Sequence, residues 1–252
     1  MSDEYISSII SKHKLPTGLD TKVYQAAHHF IPIIRRWAGG VLENIAFIGS
    51  YTKNTRVIGS TEMDFLISLD IHTCGTLNDL YENLFSYLES EKMNPKRKNF
   101  SIRLIYSNVS FELFLTRKPS ADKEGNMLFN GETQACLETN VHKHTDLVTK
   151  SERMDEIMAL KIWRNLHHLK FPTLYLELTV LNALFNRKKN RLEKNFLNVM
   201  DYLIDRFIDD EVRDPANHEN IVSGLLTHDE KKIISDAARV TRNQADWGNI
   251  IW

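Results

Sequence analysis

The 252-residue chain contains only two cysteines, Cys74 and Cys136. Two cysteines make neither a disulfide framework nor a zinc ribbon, which needs several Cys or His ligands at short spacing. A chain with so little cysteine fits a reducing compartment. The sequence therefore predicts no zinc site and a fold that depends on its hydrophobic core.

Long apolar runs are also missing, because no stretch approaches the roughly 20 residues that are needed to cross a bilayer. Residues 1–5 lack the basic segment followed by an apolar segment that is typical of a secretion signal. We therefore expect a cytoplasmic protein that makes no contact with a membrane.

The chain also has no large excess of one charge, since it contains 32 Lys and Arg residues and 33 Asp and Glu residues. Without a general basic field, any site for a polyanion must be a local patch. Residues 94–98 and 186–191 are two basic segments of this kind. Each is either a contact for a nucleic-acid or nucleotide activator or an ordinary solvated surface.

Hydrophobic periodicity predicts different structure in the two halves of the chain. Residues 44–48, 63–69, 102–106 and 109–115 have the pattern of strands, and the last two are joined at Ser107 and Asn108, a plausible hairpin turn. Helical spacing predicts a helix capped by Asp20, another over residues 77–88, and four more over 153–169, 173–187, 192–209 and 228–243. Residues 117–150 are polar and are predicted to be irregular.

Segregated strands and helices indicate an α+β fold. We predict a bilobed arrangement, with a mixed β-sheet catalytic lobe and N-terminal helices over residues 1–150 and a helical substrate-binding lobe over residues 151–252. The predicted crossover between the lobes lies in residues 117–150.

The sharpest cluster of chemistry lies around residues 49–64. Gly49 and Ser50 directly follow a predicted strand, where backbone N–H groups and a hydroxyl can approach phosphates, and Lys53 adds positive charge. Glu62 and Asp64 are two residues apart on the next strand and therefore project to the same face. Such a pair either binds a cation such as Mg²⁺ together with phosphate oxygens, or is a solvated strand face.

Glu112 is the candidate for a third carboxylate. It is a charged residue between Phe111 and Leu113 in an otherwise apolar strand. A neighbouring strand could bring it beside Glu62 and Asp64, and three carboxylates can hold two metal ions. The alternative is a charge on an edge strand.

These residues resemble the pattern of the DNA polymerase beta-like nucleotidyltransferase superfamily, with a Gly-Ser pair, an acidic-x-Asp pair and a later acidic residue. Within it, the sequence is most similar to cyclic GMP-AMP synthase, the bacterial cyclic-oligonucleotide synthases and 2′-5′-oligoadenylate synthetase. Three further segments of the helical half resemble the same group: MALKIW at 158–163, PTLYLEL at 172–178 and DPANHEN at 214–220.

The resemblance implies a role for each matched position. Glu62, Asp64 and Glu112 would bind two Mg²⁺ or Mn²⁺ ions, although the family usually has Asp where this chain has Glu112. Gly49, Ser50, Lys53 and Lys161 would contact the NTP, with a surface lysine as the alternative for Lys161. The family's base-stacking tyrosine aligns with Leu174, so Tyr175, one residue further on, is the candidate for that contact.

The implied activity is attack of a ribose hydroxyl on the α-phosphate of an NTP, ATP or GTP, with loss of pyrophosphate. The product would be a cyclic or linear oligonucleotide second messenger, as in antiviral signalling, and a nucleic acid or a protein could serve as activator. The alternatives are nucleotidyl transfer to an RNA 3′-end, a protein or a small molecule, and a non-catalytic nucleotide- or RNA-binding module on the same fold.

Overall fold

The computed structural model describes residues 2–59, 62–120, 124–131 and 133–252. In chain order, the first elements are α1 (Ser2–His13), α2 (Lys22–Ala38), β1 (Leu42–Ile48), α3 (Gly49–Thr52), β2 (Met63–Leu69), α4 (Leu77–Ser90), β3 (Lys96–Arg97) and β4 (Ile102–Tyr106). They are followed by β5 (Val109–Arg117), β6 (Asn126–Asn130), β7 (Ala135–Thr139), α5 (Val141–Ser151), α6 (Met154–Leu166), α7 (Thr173–Ala183), α8 (Leu192–Asp205) and α9 (His228–Arg242).

The chain divides into two compact units. The sheet unit comprises Pro16–Asn54 and Thr61–Thr145, and the helical unit comprises Met1–Leu15, Thr55–Ser60 and Asp146–Trp252. A single cut after residue 150 does not reproduce this division, because α1 and residues 55–60 join the helical unit. The predicted α+β class is confirmed, with the strands in one unit and most helices in the other.

The sheet unit contains a mixed sheet whose central path runs β1-β2-β5-β4-β3. Strands β2 and β5 are parallel, and the other strand pairs among the described residues are antiparallel. The predicted hairpin between β4 and β5 is confirmed. Ser107 and Asn108 have φ values of 49° and 60°, as a two-residue turn of the favoured hairpin type requires at both positions.

One face of this sheet is covered by helices α2 and α4. Phe30 of α2 meets Phe65 of β2 and Phe111 of β5, with ring centroids 5.9 and 5.0 Å away. Phe65, Phe111 and Leu113 belong to this core, so by strand alternation Asp64 and Glu112 project to the opposite face. Burial of one face thus determines where the carboxylates point.

Two local predictions for the sheet unit were wrong. Residues 117–150 contain strands β6 and β7 and helix α5, although residues 121–123 and 132 lie outside the described residues. These strands are short, and their place in the sheet is fixed by pairing with each other and with the end of β5, which no local pattern displays. The N-cap of α2 is Thr21, whose side chain accepts a hydrogen bond from the Tyr24 N–H, and not Asp20.

The helical unit is built around α6, which packs against α1, α7 and α8. Trp163 is fully buried, and its indole N–H donates to the Thr241 hydroxyl at 2.8 Å. All four helices predicted after residue 151 are present, with α7 ending at Ala183. Among the described residues, no helix has both the length and the apolar character that crossing a membrane demands.

Candidate functional site

Asp64 and Glu112 are brought together by the register of the two parallel strands. Asp64 of β2 is the direct Cα partner of Glu112 of β5. Both side chains are partly exposed, and both lie on the face away from α2 and α4. Glu62 lies immediately before β2, which begins at Met63, and is linked to Glu112 through Arg103. The register of the strands thus brings Asp64 beside Glu112, and a metal site made of all three carboxylates stays a prediction.

An arginine lies between two of these carboxylates. The Nε of Arg103 donates to Oε1 of Glu112 at 2.8 Å, and its Nη2 donates to the same oxygen and, at 3.0 Å, to Oε1 of Glu62. The other carboxylate oxygen of Glu112 accepts a hydrogen bond of 3.3 Å from the Ser101 hydroxyl. Glu112 is thus held on both oxygens by side chains of the protein.

The charge of Arg103 is reinforced by its surroundings. Partial burial lowers the pKa of the guanidinium, but hydrogen bonding to Glu112 and the charges of Glu112, Glu62 and Asp64 outweigh it and raise the pKa above its ordinary value. The guanidinium is therefore a permanent cation among three carboxylates.

The sequence interpretation missed Arg103, although the signal was present. A hairpin that turns at Ser107 and Asn108 places residue 103 opposite residue 112, and this is the observed register. An arginine opposite a glutamate on a strand that is otherwise largely apolar is a cross-strand pair of opposite charge. The predicted turn alone could have identified it.

Gly49 is fixed by its contact with Asp64. Its φ of +69° lies in the left-handed region, and a Cβ at this position would stand 2.0 Å from Oδ2 of Asp64. Only glycine fits both conditions. The Gly-Ser pair and the acidic pair are therefore adjacent, as the Ile48–Asp64 pairing of β1 and β2 also requires.

Ser50 and Lys53 follow Gly49 along the short helix α3. Ser50 is half-buried in this helix, and Lys53 is its C-cap, with a side chain that is only 6% exposed. Gly49, Ser50, Lys53, Glu62, Asp64 and Glu112 all lie in or beside the strands of the sheet unit.

Lys161 lies in the helical unit and is buried, which differs from the surface position considered as its alternative. Its Nζ is 2.9 Å from Oε1 of Glu177 and 2.9 Å from the Thr55 hydroxyl. Lys161 and Glu177 are each 1% exposed. Thr55 belongs to the helical unit as well, and its hydrogen bond from Lys161 ties it to α6.

The structure argues against base stacking by Tyr175. Its side chain is fully buried, its ring stacks on Phe207 with centroids 4.9 Å apart, and the Lys231 ammonium lies 5.9 Å from its ring. Its hydroxyl donates a long hydrogen bond of 3.4 Å to the Phe207 carbonyl. Because the ring is buried in the core against Phe207, it is not accessible to a base. We therefore do not include Tyr175 in the proposed site. The aligned position, Leu174, carries an aliphatic side chain.

The residues present suit a divalent cation by their chemistry. Glu62, Asp64 and Glu112 offer carboxylate oxygens, the ligands that Mg²⁺ prefers. The Arg103 guanidinium, itself a cation, is bound between Glu62 and Glu112. In the conformation described, however, no three Asp, Glu, His or Cys side chains of the described residues form a group that could hold a metal ion. The ligands are present, and two of them are turned towards Arg103.

Comparison with solved structures identifies the fold. CdnC of E. coli MS115-1, in a structure with ATP, matches with a TM-score of 0.79 and 16% identity over 96% of this chain and 90% of that one. The Bradyrhizobium diazoefficiens CD-NTase CdnG, in complex with GTP, matches with a TM-score of 0.76 and 14% identity over 96% and 89%. No family model and no curated protein matches the chain.

A third solved structure is matched over its whole length. The Elizabethkingia meningoseptica CdnE cyclic dinucleotide synthase, with GTP and Apcpp, matches with a TM-score of 0.74 and 14% identity over 97% of this chain and 100% of that one. At these identities the likeness establishes the fold. The predicted resemblance to the bacterial cyclic-oligonucleotide synthases is thus confirmed at the level of the fold.

Proposed function

We propose that the chain is a metal-dependent nucleotidyltransferase that joins NTPs into a cyclic or linear oligonucleotide. The observation that carries this proposal is the pairing of Asp64 with Glu112 across β2 and β5, with Glu62 on the same face and Gly49 against Asp64. The structural neighbours support it, since their descriptions name ATP, GTP and cyclic dinucleotide synthesis.

Each candidate site residue of the sheet unit has a role in the proposed reaction. Gly49 lets the backbone of α3 approach a triphosphate, Ser50 offers its hydroxyl, and Lys53 adds positive charge near the phosphates. Glu62, Asp64 and Glu112 would hold Mg²⁺ or Mn²⁺. When bound, such ions lower the pKa of an attacking hydroxyl and neutralise the charge on the phosphates. The attacking ribose hydroxyl would form a bond to the α-phosphorus and release pyrophosphate.

In the helical unit, Lys161 is proposed as a residue that contacts the triphosphate or holds residues 55–59 in place through Thr55. The ion pair with Glu177 favours the second role, because it already uses one donor of the ammonium. A protein partner is also proposed, since one neighbour is described as a complex of CdnC with HORMA-deltaN.

A second candidate is a non-catalytic nucleotide-binding module. The observation that favours it is the Arg103 guanidinium, which takes two of the three carboxylates. A resident cation at this place could replace metal ions permanently in a protein that binds nucleotides without turning them over.

A product assay separates these functions. The purified protein is incubated with four labelled NTPs and Mg²⁺ or Mn²⁺, and phosphatase-resistant products are resolved by chromatography and mass. The test variant is Glu62→Ala/Asp64→Ala. The matched control is Glu89→Ala/Glu91→Ala, which removes two exposed carboxylates at the same spacing at the end of α4.

A short oligonucleotide that is made by the wild type and the control but not by the test variant would support the synthase. NTP binding without any product, under all metal conditions, would overturn the synthase in favour of the binding module or of transfer to an absent acceptor. Addition of RNA, protein and small-molecule acceptors then tests the last of these.

A further inference from the structure

The contact between Arg103 and the acidic residues has a consequence for metal binding. Arg103 lies on β4, directly opposite Glu112, and its guanidinium reaches across to Glu62 as well. Two oxygens that a metal ion would need, Oε1 of Glu62 and Oε1 of Glu112, are therefore hydrogen-bonded to the same cation.

Glu112 is more firmly held than Glu62. Its side chain is 17% exposed against 32% for Glu62, and its second oxygen accepts a hydrogen bond from Ser101. Of its roughly four acceptor sites, two on Oε1 are taken by Arg103 and one on Oε2 by Ser101, so Oε1 cannot bind a metal ion while Arg103 stays. A guanidinium between two carboxylates also repels any divalent ion that enters the same space.

We propose that Arg103 and a divalent cation compete for the carboxylates of Glu62 and Glu112, so that Arg103 must leave them before Glu112 can act as a metal ligand. This inference rests on the proposed function for the identity of the metal site. Arg103 is then a positioning residue: it keeps three like charges together in the absence of metal, and it sets the metal concentration at which the full site assembles.

Charge and position both support this role. Without a cation, neighbouring carboxylates repel each other, which drives their side chains apart. The Arg103 guanidinium, which is charged at any working pH, offsets this repulsion through its hydrogen bonds to Glu62 and Glu112. The absence of a ready three-ligand group among the described side chains agrees with two of the ligands being engaged by Arg103.

The test measures metal affinity and needs no product. Mn²⁺ is titrated into the full chain without nucleotide, and the free ion is followed by electron paramagnetic resonance. Arg103→Met removes the charge but keeps much of the aliphatic stem, whereas Arg103→Lys keeps the charge. The matched control is Arg97→Met. Arg97 lies on the neighbouring strand β3 and pairs with Glu82 at 2.6 Å, and among the residues that the structure describes its side chain donates to Glu82 and to none of the three carboxylates.

We expect Arg103→Met to bind Mn²⁺ about tenfold or more tightly than the wild type, because a positive charge next to the ion has been removed. Arg103→Lys and Arg97→Met should stay within about threefold of the wild type. Tighter binding in Arg103→Met must disappear when Glu62→Ala/Asp64→Ala is added. Unchanged or weaker affinity in Arg103→Met, or tightening that survives this addition, overturns the inference.

The rise in melting temperature on adding Mn²⁺ provides a second readout. At a fixed ligand concentration, ligand binding stabilises the folded state by an amount that grows with the logarithm of its affinity, so Mn²⁺ should raise the melting temperature of Arg103→Met more than that of the wild type. If Arg103→Met does not fold, Arg103→Gln replaces it, because the amide retains a donor for Glu112. Competition without any oligonucleotide product would leave this inference standing while the proposed synthase fails, so the two failures are distinguishable.

Discussion

Asp64 and Glu112 are direct partners across the parallel strands β2 and β5. Their neighbours Phe65 and Leu113 are buried in the core on the opposite face. A shift of one residue in the register would move the whole set of side chains on one strand to the other face. The hydrophobic core therefore also fixes the acidic site, because Asp64 and Glu112 can meet only where Phe65 and Leu113 are buried.

Glu112→Gln should lower nucleotidyl transfer about 100-fold or more. Changes in the residues that support metal ligands typically cost 10–100-fold, and loss of a ligand itself should cost at least as much. The rate is measured as a function of Mg²⁺ concentration. The control is Glu43→Gln, a glutamate of β1 in the same sheet that pairs with Lys118 at 3.0 Å. Equal rates for Glu112→Gln and the wild type at every Mg²⁺ concentration would exclude Glu112 from the metal site.

Gly49→Ala should damage both stability and activity. The new Cβ would lie 2.0 Å from Oδ2 of Asp64, and the φ of +69° disfavours any side chain. We expect a loss of about 1–3 kcal/mol in the free energy of unfolding, as is usual for a strained backbone position, together with loss of product. Urea denaturation and the product assay measure the two effects.

Gly40→Ala is the control for this substitution, because a Cβ at Gly40 meets no atom within 4 Å and its φ lies outside the left-handed region. The contact at Gly49 would be refuted by an alanine variant that is as stable and as active as Gly40→Ala.

Much of this architecture could be predicted from local sequence. The β4–β5 hairpin follows from two turn residues between apolar segments, and the acidic pair follows from the strand repeat of Glu62 and Asp64. Pairing between distant segments is not visible in this way. Strands β6 and β7 depend on their contacts with each other and with the end of β5, and at five residues each they show too little local periodicity to be recognised.

Site residues in the helical unit were harder to interpret for a related reason. A lysine on a helix is usually solvated, but α6 is buried on nearly every side, so Lys161 is enclosed with Glu177. Tyr175 carries an amphipathic side chain that suits a core as well as a binding site, and only its packing against Phe207 distinguishes the two. Burial of this kind is decided by neighbours distant in sequence.

Removal of one partner of the Lys161–Glu177 pair should be strongly destabilising. Each side chain is 1% exposed, so Lys161→Met or Glu177→Leu disrupts the pair, and a charge left alone in the core typically costs about 3–5 kcal/mol. The double variant Lys161→Met/Glu177→Leu should lose much less, because neither charge remains. The free energy of unfolding is measured by urea denaturation.

Lys150→Met provides the reference for this pair. Lys150 bonds to Asp146 at 2.7 Å, but both side chains are largely exposed, so its loss should change stability little. Additive costs in the double variant at positions 161 and 177 would contradict the buried ion pair.

Tyr175→Leu should lower stability without weakening the binding of NTP. The tyrosine ring fills the core between Phe207 and Phe171, and loss of an aromatic core residue costs up to about 3–5 kcal/mol. Tyr175→Phe, which keeps the ring and loses only the 3.4 Å hydrogen bond to the Phe207 carbonyl, should be close to the wild type.

Both variants are compared with the wild type by thermal denaturation and by titration with ATP and GTP well below the melting temperature. Stacking of a base on an aromatic ring contributes about 1–3 kcal/mol, so a base-stacking role would appear as a loss of affinity of roughly fivefold or more in Tyr175→Leu but not in Tyr175→Phe. That result would mean that the ring leaves the core when nucleotide binds, and it would return Tyr175 to the nucleotide site.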